Sequence, residues 1–195
     1  GSTIVALGNN LATTEAEIVE MALRIAGAGA QIGLTEAQIL AFAGALSSVG
    51  IEAQAGGSAI SRVMIMIANA VASGGEQLAG FAQVAGMTVA EFQQAFQQDA
   101  AGAVVTFIEG LGRMSAAGEN VFAVLDELGL SEIRVRDALL RAAGAGDLFR
   151  NSLELATSAW EENTALSNEA AQRYATTASQ LRIMRNQLMD VAISL

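Results

Sequence analysis

Three times the chain places a glycine, an apolar residue and a hydroxyl residue in succession: Gly33-Leu34-Thr35, Gly86-Met87-Thr88 and Gly129-Leu130-Ser131. Each triplet carries both halves of a helix boundary. The glycine can take the left-handed backbone that closes an α-helix, and the apolar residue folds back on the finished helix. The hydroxyl oxygen accepts from the first free N–H groups of the next one. Gln38, three residues after Thr35, completes a capping box. The spacings between triplets, 53 and 43 residues, are unequal, so they mark recurrent αα-corners and not a strict repeat array. Pro is absent, and strand alternation and hairpin dipeptides are missing. The expected class is all-α: a multi-helix bundle of αα-corners with a long C-terminal helix.

Helical spacing of apolar residues fills in the elements. A first helix opens at Thr13 or Thr14 with Glu17 as its capping partner and runs to about Ala26, ended by Gly27-Ala28-Gly29. It buries Ile18, Met21, Ala22 and Ile25. A second runs from Thr35 to Ser48 on a stripe of Ile39, Leu40, Phe42, Ala43 and Leu46. Gly50 is its stop and Ile51 folds back on it. A third starts near Gly56-Gly57 and continues through Ile60, Val63, Met64 and Ile67. Two glycines at a helix start cost about 1 kcal/mol each relative to Ala, which predicts a close contact there. Segments 79–84, 89–98, 101–114, 120–127, 132–143 and 148–163 supply the remaining helices of the body.

From 165 to 195 the composition changes: Gly disappears and polar residues increase. Ala170, Thr177, Met184 and Val191 fill one heptad position, and Tyr174, Leu181, Leu188 and Leu195 the other, which is coiled-coil spacing. The pattern stops at Leu195 without a cap, as a longer helix cut short would. Gly1-Ser2 reads as the remnant of a cleaved tag. The expected organisation is therefore 1–2 as that remnant, 3–164 as a compact helical region, and 165–195 as a long helix.

Composition narrows the function. Apolar residues make up 52% of the chain and aromatics 5%, so small and aliphatic side chains must build the core. There is no Cys, no His and no Lys, which removes disulfides, Cys/His metal sites, an imidazole base and Ser/Lys nucleophile systems. Ten basic residues, all Arg, stand against twenty acidic ones for a net charge of −10. Such a surface repels phosphate backbones, so sequence-specific nucleic-acid binding is not expected. The longest apolar run, 63–72, is interrupted by Asn69 and is shorter than a membrane span of about 20 residues. Its near-continuous apolarity predicts either a central helix or an interface.

Several features invite a chemical reading and carry a plainer one. Gly27, Gly29 and Gly33 have GxGxxxG spacing, follow a helix and sit in no βαβ unit, so a helix terminus is expected and not a dinucleotide loop. In the same way Gly144 and Gly146 stop a helix and Asp147 caps the next. Glu15, Glu17 and Glu20, like Glu161 and Glu162, are expected on solvent faces at helix ends, where acids suit the dipole, and not as a hydrolytic pair. The seven methionines are read as core filling, and Trp160 and Tyr174 as core-edge packing or an interface anchor. No catalytic residue, cofactor or metal ligand is expected.

The stretch ALSSVGIEAQAGGSAISRVM, residues 45–64, resembles the core motif of the tail tape-measure proteins of long-tailed bacteriophages and prophages. In that motif the residues matching Gly50, Ile51, Gly56, Gly57 and Arg62 join two helices. Residues 7–29, 81–111 and 125–149 resemble, in order, the segments around it. The resemblance implies a structural, non-enzymatic region of a much longer protein that sets tail length during assembly and takes part in tail-tip organisation and DNA ejection. It implies tail-tip, tail-tube and tail assembly chaperone proteins as partners, in the virion tail and, during assembly, in the host cytoplasm. Self-association through the C-terminal helix, with Tyr174, Leu181, Leu188 and Leu195 as the seam, is expected beside it; the alternative is that the seam lies on the chain's own preceding helices, Tyr174 and Leu181 docking on 148–163. The rival reading is a membrane-active helical bundle forming a channel or pore. High apolarity motivates it, while the acidic charge and the absence of a Lys-rich, Trp-rimmed face weigh against it.

Overall fold

The computed structural model describes residues 2–194. Within the last helix, the side chains at 164–168, 174 and 191–194 lie outside the described set. Ten helices and no strand are present among the described residues: α1 (Ser2–Asn10), α2 (Glu15–Gln31), α3 (Glu36–Ser48), α4 (Ala53–Ser73), α5 (Glu76–Ala85), α6 (Val89–Gln98), α7 (Ala100–Ala116), α8 (Val121–Glu127), α9 (Ile133–Ala143) and α10 (Gly146–Ser194). The fold is all-α.

Local rules place most boundaries. Thr14, Thr35, Thr88, Asp99 and Asn120 each accept, through a side-chain oxygen, the N–H three residues on. Thr35 and Gln38 form the reciprocal capping box, which satisfies two otherwise free donors. Gly33, Gly50, Gly86 and Gly129 all have positive φ. After each, the apolar residue returns a backbone N–H to a carbonyl one turn back: Leu34 to Gly29, Ile51 to Leu46, Met87 to Ala82 and Leu130 to Leu125. This is the six-to-one bond of a Schellman ending.

Four expectations change. Residues 2–10 form a helix, whereas the sequence pattern predicts none before Thr13 and treats Gly1-Ser2 as a tag remnant. Ser2 Oγ donates to the Ala159 carbonyl at 3.3 Å, tying α1 to α10. The first expected helix does not stop at Gly27-Ala28-Gly29 but runs through to Gln31. Gly29 is buried there with Ile39 packed where its side chain would be, so tertiary contact outweighs the roughly 1 kcal/mol propensity penalty. Ser131 is not a cap; α9 starts at Ile133 after Glu132, without a side-chain cap bond. The segments expected as 148–163 and 165–195 form one helix, α10, of 49 residues, about 73 Å long at 1.5 Å per residue.

Packing falls into two connected groups. Helices α1 and α3 pack on the first part of α10, with α2 laid against α3 and α4, while α5, α6, α8 and α9 surround α7. Contacts of α4 with α9 and of α10 with α7 join the groups. Each has an aromatic pair at its centre. Phe42 meets Phe149 with ring centroids 5.8 Å apart, and Phe81 meets Phe107 edge-on at 5.2 Å, favourable geometries beyond the area they bury. Helix α4, which carries the 63–72 run, buries Ile60, Val63, Met64 and Ile67 completely, so its apolarity is that of a central helix. Met21 and Met64 are core residues, and Met66, Met87 and Met114 pack against the core. Met184 and Met189, in contrast, are more than half exposed.

Candidate interaction surfaces

The motif residues 50–62 form a junction between helices. Gly50 ends α3, and its carbonyl accepts from Arg141 of α9 at 3.3 Å. Ile51 then turns into the first coil of α4: a Cβ on Gly56 would stand 1.8 Å from Ile51 Cγ2. A Cβ on Gly57 would stand 2.5 Å from Arg24 Cβ on α2, with Met21 Sδ beside it. The close contact expected at the glycine pair is therefore present, made by side chains of α2 and of the preceding turn against bare α4 backbone. Helix α4 begins at Ala53, so the pair sits within its first turns. Arg62 reaches Glu132 at 2.7 Å, both about half exposed. An ion pair in that setting contributes about 0–1 kcal/mol. These five residues hold α2, α3, α4 and α9 together.

A second junction had no warning in the sequence. A Cβ on Gly110 would lie 1.9 Å from the Val84 carbonyl oxygen, and one on Gly112 would lie 2.5 Å from that of Ala143. Helix α7 thus accepts the C-terminal ends of α5 and α9 directly against its backbone. Beside it, Arg150 of α10 grips Glu109 of α7 through Nε at 3.2 Å to both carboxylate oxygens, and through Nη2 reaches Thr106 at 3.3 Å. The Glu109 carboxylate holds the Arg150 guanidinium above its ordinary pKa, against the opposing effect of burial. Stability from that shift is present below the unfolded arginine value and lost only as pH rises through the still higher folded one. The Arg150 guanidinium therefore stays charged throughout the neutral range.

The residues weighed for chemistry are spread apart. Gly27 and Gly29 lie inside α2, and Gly33 is the turn after it. Gly144 caps α9 and Gly146 opens α10. Glu161 and Glu162 are exposed in the interior of α10, not at a helix end. Among the described residues no group of three or more His, Cys, Asp or Glu could hold a metal ion.

Among the described residues, two stretches of open apolar surface stand out. One is the outer face of α10. Among its described side chains, Phe149, Ser152, Ala156 and Ala159 are buried, and none beyond Ala159 is. Leu181 and Leu188 of the expected seam are 61% and 70% exposed; the Tyr174 side chain and Leu195 lie outside the described residues. Trp160 is 41% exposed where α10 leaves the body. The other surface is an open groove between α1 and α2, floored by Ile4, Val5, Val19 and Leu23 and edged by Glu15 and Glu20. Sequence reading missed it because α1 was not recognised as a helix. The unused signal was a run of Ile4, Val5 and Leu7 followed by the Thr14 cap. Comparison with protein families, curated proteins and solved structures finds no match to this chain.

Proposed function

We propose that this chain is a structural region of a phage or prophage tail tape-measure protein, acting by length and packing and not by chemistry. The observation that carries the reading is α10, a 49-residue helix whose outer two-thirds extends beyond the core it starts from. Such an element measures distance: each residue adds about 1.5 Å. The motif junction at Gly50, Ile51, Gly56, Gly57 and Arg62 supports it as the rigid base from which that helix departs. Its partners on this reading are tail-tip, tube and chaperone proteins and further copies of itself, in the virion tail and, before that, in the cytoplasm of the host.

The test is made in a phage or prophage that carries the chain. Inserting four heptads into the exposed part of α10 should lengthen tails by about 42 Å, measured by electron microscopy. Tails of unchanged length, assembled normally, would overturn the reading.

One observation favours a second reading, the membrane-active bundle. Helix α4 is long and apolar enough to cross a membrane by length and composition, although about half of its apolar stretch is buried inside the fold. Insertion would require α4 to leave the core. Dye leakage from liposomes at neutral pH would support this alternative.

A further inference from the structure

We infer that copies of this chain associate head to tail, the exposed part of α10 of one copy lying in the α1–α2 groove of the next. Each surface is incomplete alone and matches the other in shape and charge. The groove is a furrow between two helices, with Val19 and Leu23 one turn apart on its α2 wall and Leu23 74% exposed. A furrow of this kind accepts a third helix through anchors spaced at i, i+3 and i+7. Leu181, Met184 and Leu188 supply that spacing, all more than half exposed.

Charge fixes the pairing. The groove edge is formed by Glu15 and Glu20, with no basic residue lining it. The anchors on α10 are flanked by Arg182 and Arg185, and from 181 to 190 the helix carries two Arg against one Asp, in a chain of net charge −10. Laid in the groove, the anchors fill the apolar floor while the guanidinium groups reach the acidic edge, an arrangement that selects partner and orientation. Pairing of two such helices with each other would cover the same leucines but leave both the groove and its acidic edge bare.

The contact is heterologous, since each copy offers a different surface, and it propagates into a ring or an open chain. It does not depend on the tail reading: any protein with these two faces would do the same.

Sedimentation of the full chain tests it with two surface variants. Glu15→Arg/Glu20→Arg reverses the groove edge, and Leu181→Glu/Leu188→Glu spoils the anchors. Wild type is expected to grow beyond dimers with concentration and to dissociate as salt is raised, while each variant alone stays monomeric. An equimolar mixture of the two variants retains one good groove and one good helix, so it should form a dimer and nothing larger. Wild type that remains monomeric at all concentrations overturns the inference. So does a groove variant that associates as well as wild type, which would mean that α10 pairs with itself. Circular dichroism checks that each variant is folded. If the groove variant is not, Leu23→Asp takes its place with the same expected outcomes.

Discussion

Phe149, Ser152, Ala156 and Ala159 in the first part of α10 are closed off from water, whereas Leu181, Met184 and Leu188 stand 56% to 70% exposed. At 100° per residue all seven fall on the same side of the helix. One continuous face is thus buried at one end by α1 and α3 and bare at the other. The side chains differ accordingly. The buried end uses small residues and one Phe, which let neighbouring helices approach closely. The bare end uses Leu and Met, which reach outward. Along α10 the size of the apolar residues, and not their periodicity, separates the packed part of the face from the bare part.

What keeps the bare part helical is local. It is rich in Ala, Gln, Arg, Leu and Met, all good helix formers, and Arg173 pairs with Glu169 one turn before it. Such a pair contributes about 0.2–0.5 kcal/mol, and a run of this length passes the nucleation limit that makes short helices marginal. The buried part is held instead by tertiary contact, so equal substitutions in the two parts should have unequal costs.

The largest difference is expected for Phe149→Ala. Phe149 is fully buried against Phe42, and its loss leaves a cavity at the centre of the α3–α10 contact, for about 3–5 kcal/mol of destabilisation. Urea unfolding measures it. A cost below about 1 kcal/mol would mean that the first part of α10 is as loosely held as the second, and the comparison would collapse.

A matched pair of small-to-large changes sharpens the contrast. Ala156 has no exposed surface and Ala170 is exposed on the same side of the helix. Ala156→Leu should overpack the body and cost about 1–3 kcal/mol, while Ala170→Leu should stay within about 0.5 kcal/mol. Equal thermal shifts for the two would show that burial does not divide α10 after all.

This division also explains how far the sequence could be read. Helix endings at Gly33, Gly50, Gly86 and Gly129 were legible because a Schellman turn and a capping hydroxyl are decided within six residues. Gly29 is illegible for the complementary reason: Ile39 packs on it from another helix, and nothing local reveals it. The motif residues were legible as a tight junction, but Arg24 as the partner of Gly57 was not. Gly110 and Gly112 gave no signal because their contacts, the Val84 and Ala143 carbonyls, come from helices remote in sequence. The groove stayed hidden because it requires α1. The heptad seam could be read as apolar, but periodicity gives the face and not its occupant.

The smallest effect is expected from Leu181→Ala/Leu188→Ala, and it separates two ways in which the bare face could matter. In an isolated copy these leucines touch little of the body, and Ala is a slightly better helix former than Leu. In dilute solution the double variant should therefore unfold within about 0.5 kcal/mol of wild type. In concentrated solution wild type gains stability from any association that binds only the folded state, and the variant should not share that gain. Urea unfolding at two protein concentrations a hundredfold apart reads both quantities. A loss of about 2 kcal/mol that is the same at both concentrations would mean that the far part of α10 is held against its own body. A gap that opens only at the higher concentration assigns the face to a second copy.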